Sequence, residues 1–136
     1  MFQVSVEEEF AAGHALRGYR GKCENPHGHN YKVRVTLEGP SLDHIGLLYD
    51  FSELKKALHQ TVGKLDHQNM NDVAPFIELN PSAENIAKYF YEQISGLLAE
   101  HVRKGGEEAS QLSLCRVSKV KVWETSTTTA TYFANR

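Results

Sequence analysis

One stretch of the sequence, residues 27–38, reads HGHNYKVRVTLE. From Tyr31 onward its apolar side chains alternate with polar ones, which predicts a β-strand with one buried face. His27 and His29 stand two residues apart at the entrance to this strand. In extended backbone, side chains two positions apart lie on the same face, so both imidazoles can contact one common ligand.

The residues before this stretch predict a second strand that carries a third histidine. Apolar and polar side chains alternate over residues 2–10, and residues 18–26 are rich in Gly, Asn and Pro, which is typical of a loop. If the alternation continues without a bulge, His14 emerges on the face that Phe10 occupies. An antiparallel pairing of the two strands would then bring His14 beside His27 and His29.

The residues after it predict two helices and two further strands. Asp50 offers an N-cap for a first helix, and a second helix is expected to start around Pro81-Ser82 and to stop at Gly105-Gly106. Residues 120–123 and the Thr-rich run that ends at Phe133 then predict two strands. The order β-β-α-α-β-β indicates an α+β fold, a four-stranded antiparallel sheet with both helices on one face. Its two exposed edges favour oligomerisation.

Composition limits the classes of protein that need consideration. The 136 residues, 40% hydrophobic and 24% charged, predict one globular domain over residues 1–136. No apolar run approaches the roughly 18 residues of a membrane span, and the N-terminus has no signal-peptide pattern, so we expect a cytoplasmic protein without a membrane partner. A formal charge of −2 gives no general argument for a nucleic-acid partner. The two cysteines are expected to be free thiols.

The three histidines predict a metal site. Three imidazoles with one open position are what a catalytic Zn²⁺ requires, because the vacancy receives water or substrate. Cys23 could instead be a fourth ligand that closes a structural site, or a proton-transfer group whose pKa falls beside Lys22 and a divalent metal. The alternative is that the histidines are scattered over the surface or close a turn.

Two acidic positions are also candidates for function. Asp66 and His67 follow the first predicted helix, where a helix-end turn alone would account for them. Glu124 continues the apolar face of Val120 and Val122, and a buried carboxylate there must find a partner because an unpaired buried charge is costly. The alternative for Glu124 is a position in water just beyond the end of the strand.

At these residues the chain resembles the 6-pyruvoyl-tetrahydropterin synthase / 6-carboxy-tetrahydropterin synthase family, from about Phe2 to Ala134. Any one of the shared motifs is modest support, whereas six in the same order are strong support. They are Phe10-Ala11-Ala12-Gly13-His14, Cys23-x₃-His27-Gly28-His29-Asn30-Tyr31, Tyr49-Asp50-Phe51-x₂-Leu54-Lys55, Leu65-Asp66-His67-x-Asn69-x-Asn71, Asn80-Pro81-Ser82-x-Glu84-Asn85 and Glu124-Thr125.

The resemblance implies a fold, an assembly and a substrate. The fold is the T-fold, whose order of elements agrees with the one predicted above. The assembly is a homohexamer, a dimer of trimers in which the sheets join into a barrel and active sites lie between subunits. The substrate is 7,8-dihydroneopterin triphosphate, a small pterin.

The resemblance also implies a role for each candidate residue. The zinc ligands are His14, His27 and His29. The catalytic base is Cys23, and its proton-handling partners are Asp66 and His67, contributed by a neighbouring chain. The carboxylate that anchors the pterin ring is Glu124.

The choice between the two activities of the family depends on one spacing. Cys-x₃-His-Gly-His resembles the bacterial 6-carboxytetrahydropterin synthases of queuosine biosynthesis, which are zinc-dependent lyases that release acetaldehyde and triphosphate. The amino-acid sequence of residues 25–32 is similar to the corresponding segment of the pyruvoyl enzymes, which are the alternative. A non-catalytic, zinc-stabilised binding module is the alternative of another class. The polar loop Lys104–Gln111 is longer than in compact relatives.

Overall fold

The computed structural model describes residues 1–21, 24–105 and 114–134. In these residues four strands and two α-helices occur in the predicted order, with one 3-10 turn at Met70–Asp72 between the helices. They are β1 (Phe2–His14), β2 (His27–Gly39), α1 (Phe51–Val62), α2 (Ala83–Lys104), β3 (Arg116–Thr125) and β4 (Thr128–Phe133). The strands form one antiparallel sheet in the order β1-β2-β3-β4. The predicted α+β architecture is confirmed.

The core lies between the sheet and the two helices. Alternate side chains of β2 and β3 point into it, and Val33, Val35 and Val122 are completely buried. Helix α1 packs on β1, and α2 packs on β3 and β4. The alternation that predicted the strands is therefore the alternation between a core-facing and an outward-facing side of the sheet.

The two long strands extend further than the sequence pattern predicted. Strand β1 continues from Phe10 to His14, and β2 begins at His27 instead of Tyr31. The added residues are ordinary sheet: His14 is paired with His27 across the two strands. The segment after α1 supports the free side of β1, because the Gly13 amide donates to the Gln68 carbonyl at 2.9 Å. Tertiary hydrogen bonds thus extend the strand through a small-residue segment with weak β propensity.

Both helices begin where their caps were predicted. The Asp50 carboxylate accepts from the Ser52 amide at 2.8 Å, and the Ser82 hydroxyl accepts from the Asn85 amide at 3.2 Å. Helix α2 ends at Lys104. The remainder of the predicted loop, residues 106–111, lies outside the described residues. Among the helices that the structure describes, none has the length and apolar character needed to cross a bilayer.

We expect Phe90→Ala to destabilise the protein strongly. Phe90 on α2 is completely buried, and its ring lies 5.7 Å from that of Phe10 on β1, so truncation leaves a cavity between helix and sheet. The expected loss in the free energy of unfolding is about 3–5 kcal/mol by urea denaturation. The control is Phe51→Ala at a ring that is 50% exposed, for which a loss of about 1 kcal/mol or less is expected. Equal losses in the two variants would contradict this description of the core.

Candidate metal centre

A cluster of ligand-type side chains lies at one end of the sheet, on the side that faces the helices. Strands β1 and β2 pair so that His14 stands opposite His27, and His29 lies two residues further along β2. Strand β3 brings Glu124 to the same place. One ligand atom from each of these four residues lies within 4.8 Å of the others, so the group could hold a metal ion.

The short contacts within the cluster converge on the Nε2 atom of His14. This atom lies 3.0 Å from His27 Nε2 and 3.2 Å from Glu124 Oε1. The same oxygen of Glu124 lies 3.0 Å from His29 Nε2. The His14 side chain is 1% exposed and the Glu124 side chain is 25% exposed, so the cluster has a buried base and an open mouth.

Backbone carbonyls select the tautomers of two of the rings. His14 Nδ1 donates to the Pro81 carbonyl at 2.7 Å, and His27 Nδ1 donates to the Asn25 carbonyl at the same distance. A carbonyl oxygen only accepts, so each Nδ1 carries the proton and each neutral ring presents a lone pair at Nε2. Two lone pairs that face each other at 3.0 Å repel unless a cation or a proton lies near both.

His29 presents a third unsatisfied nitrogen. Its Nε2 atom is buried without a hydrogen bond, although a Glu124 carboxylate oxygen lies 3.0 Å away. Burial lowers the pKa of His29; the Glu124 carboxylate opposes this effect, and His14 and His27 reinforce it. The ring is therefore neutral at neutral pH, the form that binds a metal. The donor set and this orphaned nitrogen both fit a divalent cation.

Glu124 is part of the cluster and not a residue in bulk water. Strand β3 continues to Thr125, which keeps Glu124 on the face of Val122. The interpretation that Glu124 lies beyond the end of the strand is therefore wrong. Its nearest side-chain neighbours there are the Nε2 atoms of His14 and His29.

The segment between the helices holds the end of β1 in place. The Asn71 side chain accepts from the Ala15 amide and donates to the Ala15 carbonyl, at 2.8 and 3.0 Å. Asn80 does the same for Arg17, at 3.0 and 2.9 Å. Both asparagines belong to sequence motifs named above, for which the sequence pattern predicted no structural role. They clamp the backbone just after His14, which positions that ring.

Asp66 and His67 form a pair beside the cluster. Asp66 accepts from the Ala11 amide at 3.0 Å and lies 3.1 Å from His67 Nδ1. The donation from Ala11 holds the pKa of Asp66 below its usual value, and His67 acts in the same direction. His67 has a φ of 60°, a left-handed conformation that few non-glycine residues adopt, and its side chain is 82% exposed. An open pocket of about 390 Å³ is lined by both His67 and His29.

Sequence reasoning missed one polar group at the base of the cluster. Tyr31 is completely buried, and its ring lies 5.8 Å from that of His14 and 5.5 Å from that of His29. Its hydroxyl has no hydrogen-bond partner in the described part of the chain. Burial raises the pKa of Tyr31, and Glu124 adds to this effect. The alternation of β2 marked Tyr31 only as a core residue. Cys23 lies outside the described residues.

The family model that matches the chain and the relatives named here are all described as pterin synthases. The family model described as 6-pyruvoyl tetrahydropterin synthase matches residues 3–135. The chain is similar to a 6-carboxy-5,6,7,8-tetrahydropterin synthase of Aquifex aeolicus, at 32% identity over 96% of this chain and 97% of that protein. It is equally similar to the human 6-pyruvoyl tetrahydrobiopterin synthase, at 32% identity over 96% and 90% of the two chains. Among solved structures, the Caenorhabditis elegans 6-pyruvoyl tetrahydropterin synthase has a TM-score of 0.80 and 28% identity, over 98% and 96% of the two chains.

We expect the protein to bind about one divalent metal ion per chain and His27→Ala to weaken that binding more than a hundredfold. Loss of a metal ligand lowers the metal affinity more than loss of the group that hydrogen-bonds to that ligand, which alone lowers the affinity about 10–100-fold. Metal content and affinity are measured by elemental analysis and by titration with a chromophoric competitor. The matched control is His59→Ala, since the His59 side chain is 79% exposed and contacts Glu8 outside the cluster. Unchanged metal affinity in His27→Ala would contradict the site.

Proposed function

Because the chain belongs to the 6-pyruvoyl tetrahydropterin synthase family, we propose that it is a zinc-dependent 6-carboxy-5,6,7,8-tetrahydropterin synthase. In this proposal it converts 7,8-dihydroneopterin triphosphate and one water molecule to 6-carboxytetrahydropterin, acetaldehyde and triphosphate for queuosine biosynthesis. The observation that carries the proposal is the convergence of His14, His27 and His29 with Glu124 at one end of the sheet.

His14, His27 and His29 are the proposed zinc ligands. Support comes from two Nδ1 atoms tied to backbone carbonyls and from the orphaned Nε2 of His29, since such rings offer lone pairs to a common centre. When bound there, zinc supplies a Lewis acid that polarises substrate oxygens and acidifies neighbouring C–H and O–H groups.

Asp66 and His67 are the proposed proton-handling pair. The Asp66 carboxylate orients the His67 ring through Nδ1, which leaves Nε2 directed to the exterior and available to the substrate. A histidine side chain can serve both as a general base and as a general acid, which is the role proposed for His67. The family resemblance adds that this pair acts on a substrate held by a neighbouring chain.

Cys23 is the proposed catalytic base, and the support is the sequence motif Cys-x₃-His-Gly-His. The proposed base is the thiolate, the form of a thiol that a nearby cation favours, and it would remove a proton from the substrate side chain. Proton transfer by a positioned group contributes about 10²–10⁴-fold to a rate.

Glu124 is the proposed anchor of the pterin ring. A carboxylate can accept two parallel hydrogen bonds, and a pterin offers a ring N–H beside an amino group. The partial exposure of Glu124, next to the buried His14, supports a role at the mouth of the site.

The pyruvoyl activity is the second candidate. Relatives with both names match at nearly the same identity, including a 6-carboxy synthase of Bacillus subtilis at 34% over 71% of this chain and 68% of that protein. The short interval between Cys23 and His27 is the feature that favours the carboxy activity.

We also propose a homohexamer, a dimer of trimers. In the described sheet β1 and β4 are the outer strands, and each has one neighbouring strand. Pairing of such edges between copies would satisfy their free backbone groups. The family resemblance supplies the number of subunits.

The reaction is tested by incubating the zinc-loaded protein with 7,8-dihydroneopterin triphosphate and identifying products by mass spectrometry. We expect 6-carboxytetrahydropterin, acetaldehyde and triphosphate, and none of these from His27→Ala. Formation of 6-pyruvoyltetrahydropterin would assign the second candidate activity. Absence of turnover, together with a Cys23 thiol that zinc protects from alkylation, would favour a non-catalytic zinc-stabilised module.

We expect Glu124→Gln to weaken the binding of a non-reacting pterin roughly ten- to a hundredfold. The amide keeps the shape but replaces one acceptor with a donor, so a donor of the ligand faces another donor. Binding is measured by calorimetry, with Glu92→Gln on the exposed surface of α2 as the matched control. Zinc content should stay at the parent value. A loss of zinc in Glu124→Gln would identify Glu124 as a metal ligand and contradict the anchor role.

A further inference from the structure

Three cationic side chains surround one indole on the sheet face that points away from the helices. Lys32 Nζ lies 4.2 Å from the ring centroid of Trp123, Lys121 Nζ lies 4.7 Å from it, and Arg34 Cζ lies 5.0 Å from it. The pairing of β2 with β3 creates this arrangement, because Lys32 stands opposite Trp123 and Arg34 stands opposite Lys121. We name these four residues the Trp123 cluster.

The positive charge of the Trp123 cluster is only partly neutralised. Arg34 forms an ion pair with Glu7 at 2.5 Å. In the described ranges of the chain, no carboxylate lies within ion-pair distance of Lys32 or Lys121. Arg34 and Lys121 are also like charges directly opposite each other, which destabilises a sheet. The chain as a whole carries a net charge of −2, so a concentration of cations here is unusual for it. Positions that break a rule of strand pairing are typical of functional sites.

A pocket beside the cluster adds hydrogen-bonding groups. Its volume is about 230 Å³, and its lining residues are Glu9, Asn30, Lys32, Trp123, Thr125 and Ser126. Asn30 immediately follows His29, and Thr125 immediately follows Glu124. The pocket therefore lies at the same end of the sheet as the candidate metal centre. Amide and hydroxyl groups, together with ammonium N–H groups that the indole does not occupy, can all donate to an oxyanion.

We propose that this pocket and the Trp123 cluster bind the phosphates of a short polyphosphate chain. Lys32 Nζ and Lys121 Nζ lie 4.2 and 4.7 Å from the same indole centroid, so two cations share one small area, which suits an anion that carries several negative charges. The basic area is limited to a few residues, whereas a nucleic acid requires a longer basic stripe. The identification of the anion as triphosphate rests on the proposed function, whose reaction releases it.

Replacement of Glu9 should change anion binding in the opposite direction to replacement of a lysine. Glu9 stands opposite Lys32 on β1 and lines the same pocket, so its carboxylate repels an anion there. Removal of that charge should strengthen anion binding, whereas removal of a lysine should weaken it. A site that bound a cation or an apolar group would not show this pair of effects.

Trp123 is the only tryptophan of the chain, so its fluorescence reports on the cluster directly. The full-length protein is titrated with inorganic triphosphate, and dissociation constants are measured by calorimetry. We expect a saturable change in fluorescence, binding that is roughly five- to tenfold weaker in Lys32→Gln and in Lys121→Gln, and tighter binding in Glu9→Gln. The matched control is Lys88→Gln on α2, which should bind as the parent does. Absence of saturable binding, or an equal loss in Lys88→Gln, would overturn the proposal.

Two further titrations distinguish phosphates of the substrate from free triphosphate, and failure of this proposal from failure of the proposed function. Competition between inorganic triphosphate and 7,8-dihydroneopterin triphosphate would assign the site to the substrate's own chain, and simultaneous binding would assign it to free triphosphate. His27→Ala should retain the affinity for inorganic triphosphate, because the cluster lies on the other face of the sheet. Loss of triphosphate binding in this metal-site variant would contradict a separate site. Failure of catalysis with intact triphosphate binding would contradict only the proposed function.

Discussion

The register between β1 and β2 is the constraint from which the candidate site follows. Because His14 is paired with His27, the three imidazoles meet at the end of the sheet instead of being distributed along it. A slip of one residue would turn every side chain of one strand to the opposite face, which would separate His14 from the other two and expose the buried valines. Core packing and assembly of the candidate metal centre therefore select the same register, so the hydrophobic energy of the sheet also holds the candidate ligands together.

The segment that joins the two helices secures this register at its far end. Asn71 and Asn80 clamp the backbone after His14, and the Pro81 carbonyl accepts from the His14 ring itself. The pattern resembles that of known metal sites, in which a hydrogen bond from the second ring nitrogen fixes the tautomer and orients the ligand. It also gives two asparagine-containing motifs a structural role, since Asn71 and Asn80 form hydrogen bonds to the backbone that follows β1.

One end of the sheet carries different chemistry on its two faces because successive residues of a strand alternate in direction. On β3, Glu124 points to the histidines while Trp123 points to the cationic side chains of β2. On β2, His29 faces the helices while Lys32 faces away from them. A polyphosphate on the face away from the helices would thus contact residues adjacent in sequence to the candidate metal ligands, and the sheet would separate it from those ligands. This separation explains why the two sites can be tested with independent variants.

Much of this arrangement follows from local patterns. Period-two alternation predicts the strands and the face of His14, and capping residues predict where both helices begin, because these signals act over a few residues. The partners of Glu124, the ring tautomers and the isolated hydroxyl of Tyr31 were not predictable in this way. His14 and Pro81 are 67 residues apart in sequence, and Ala15 and Asn71 are 56 apart. Contacts over such separations exist only once the helices have packed on the sheet, since periodicity marks a residue's face but not the group that will stand opposite it.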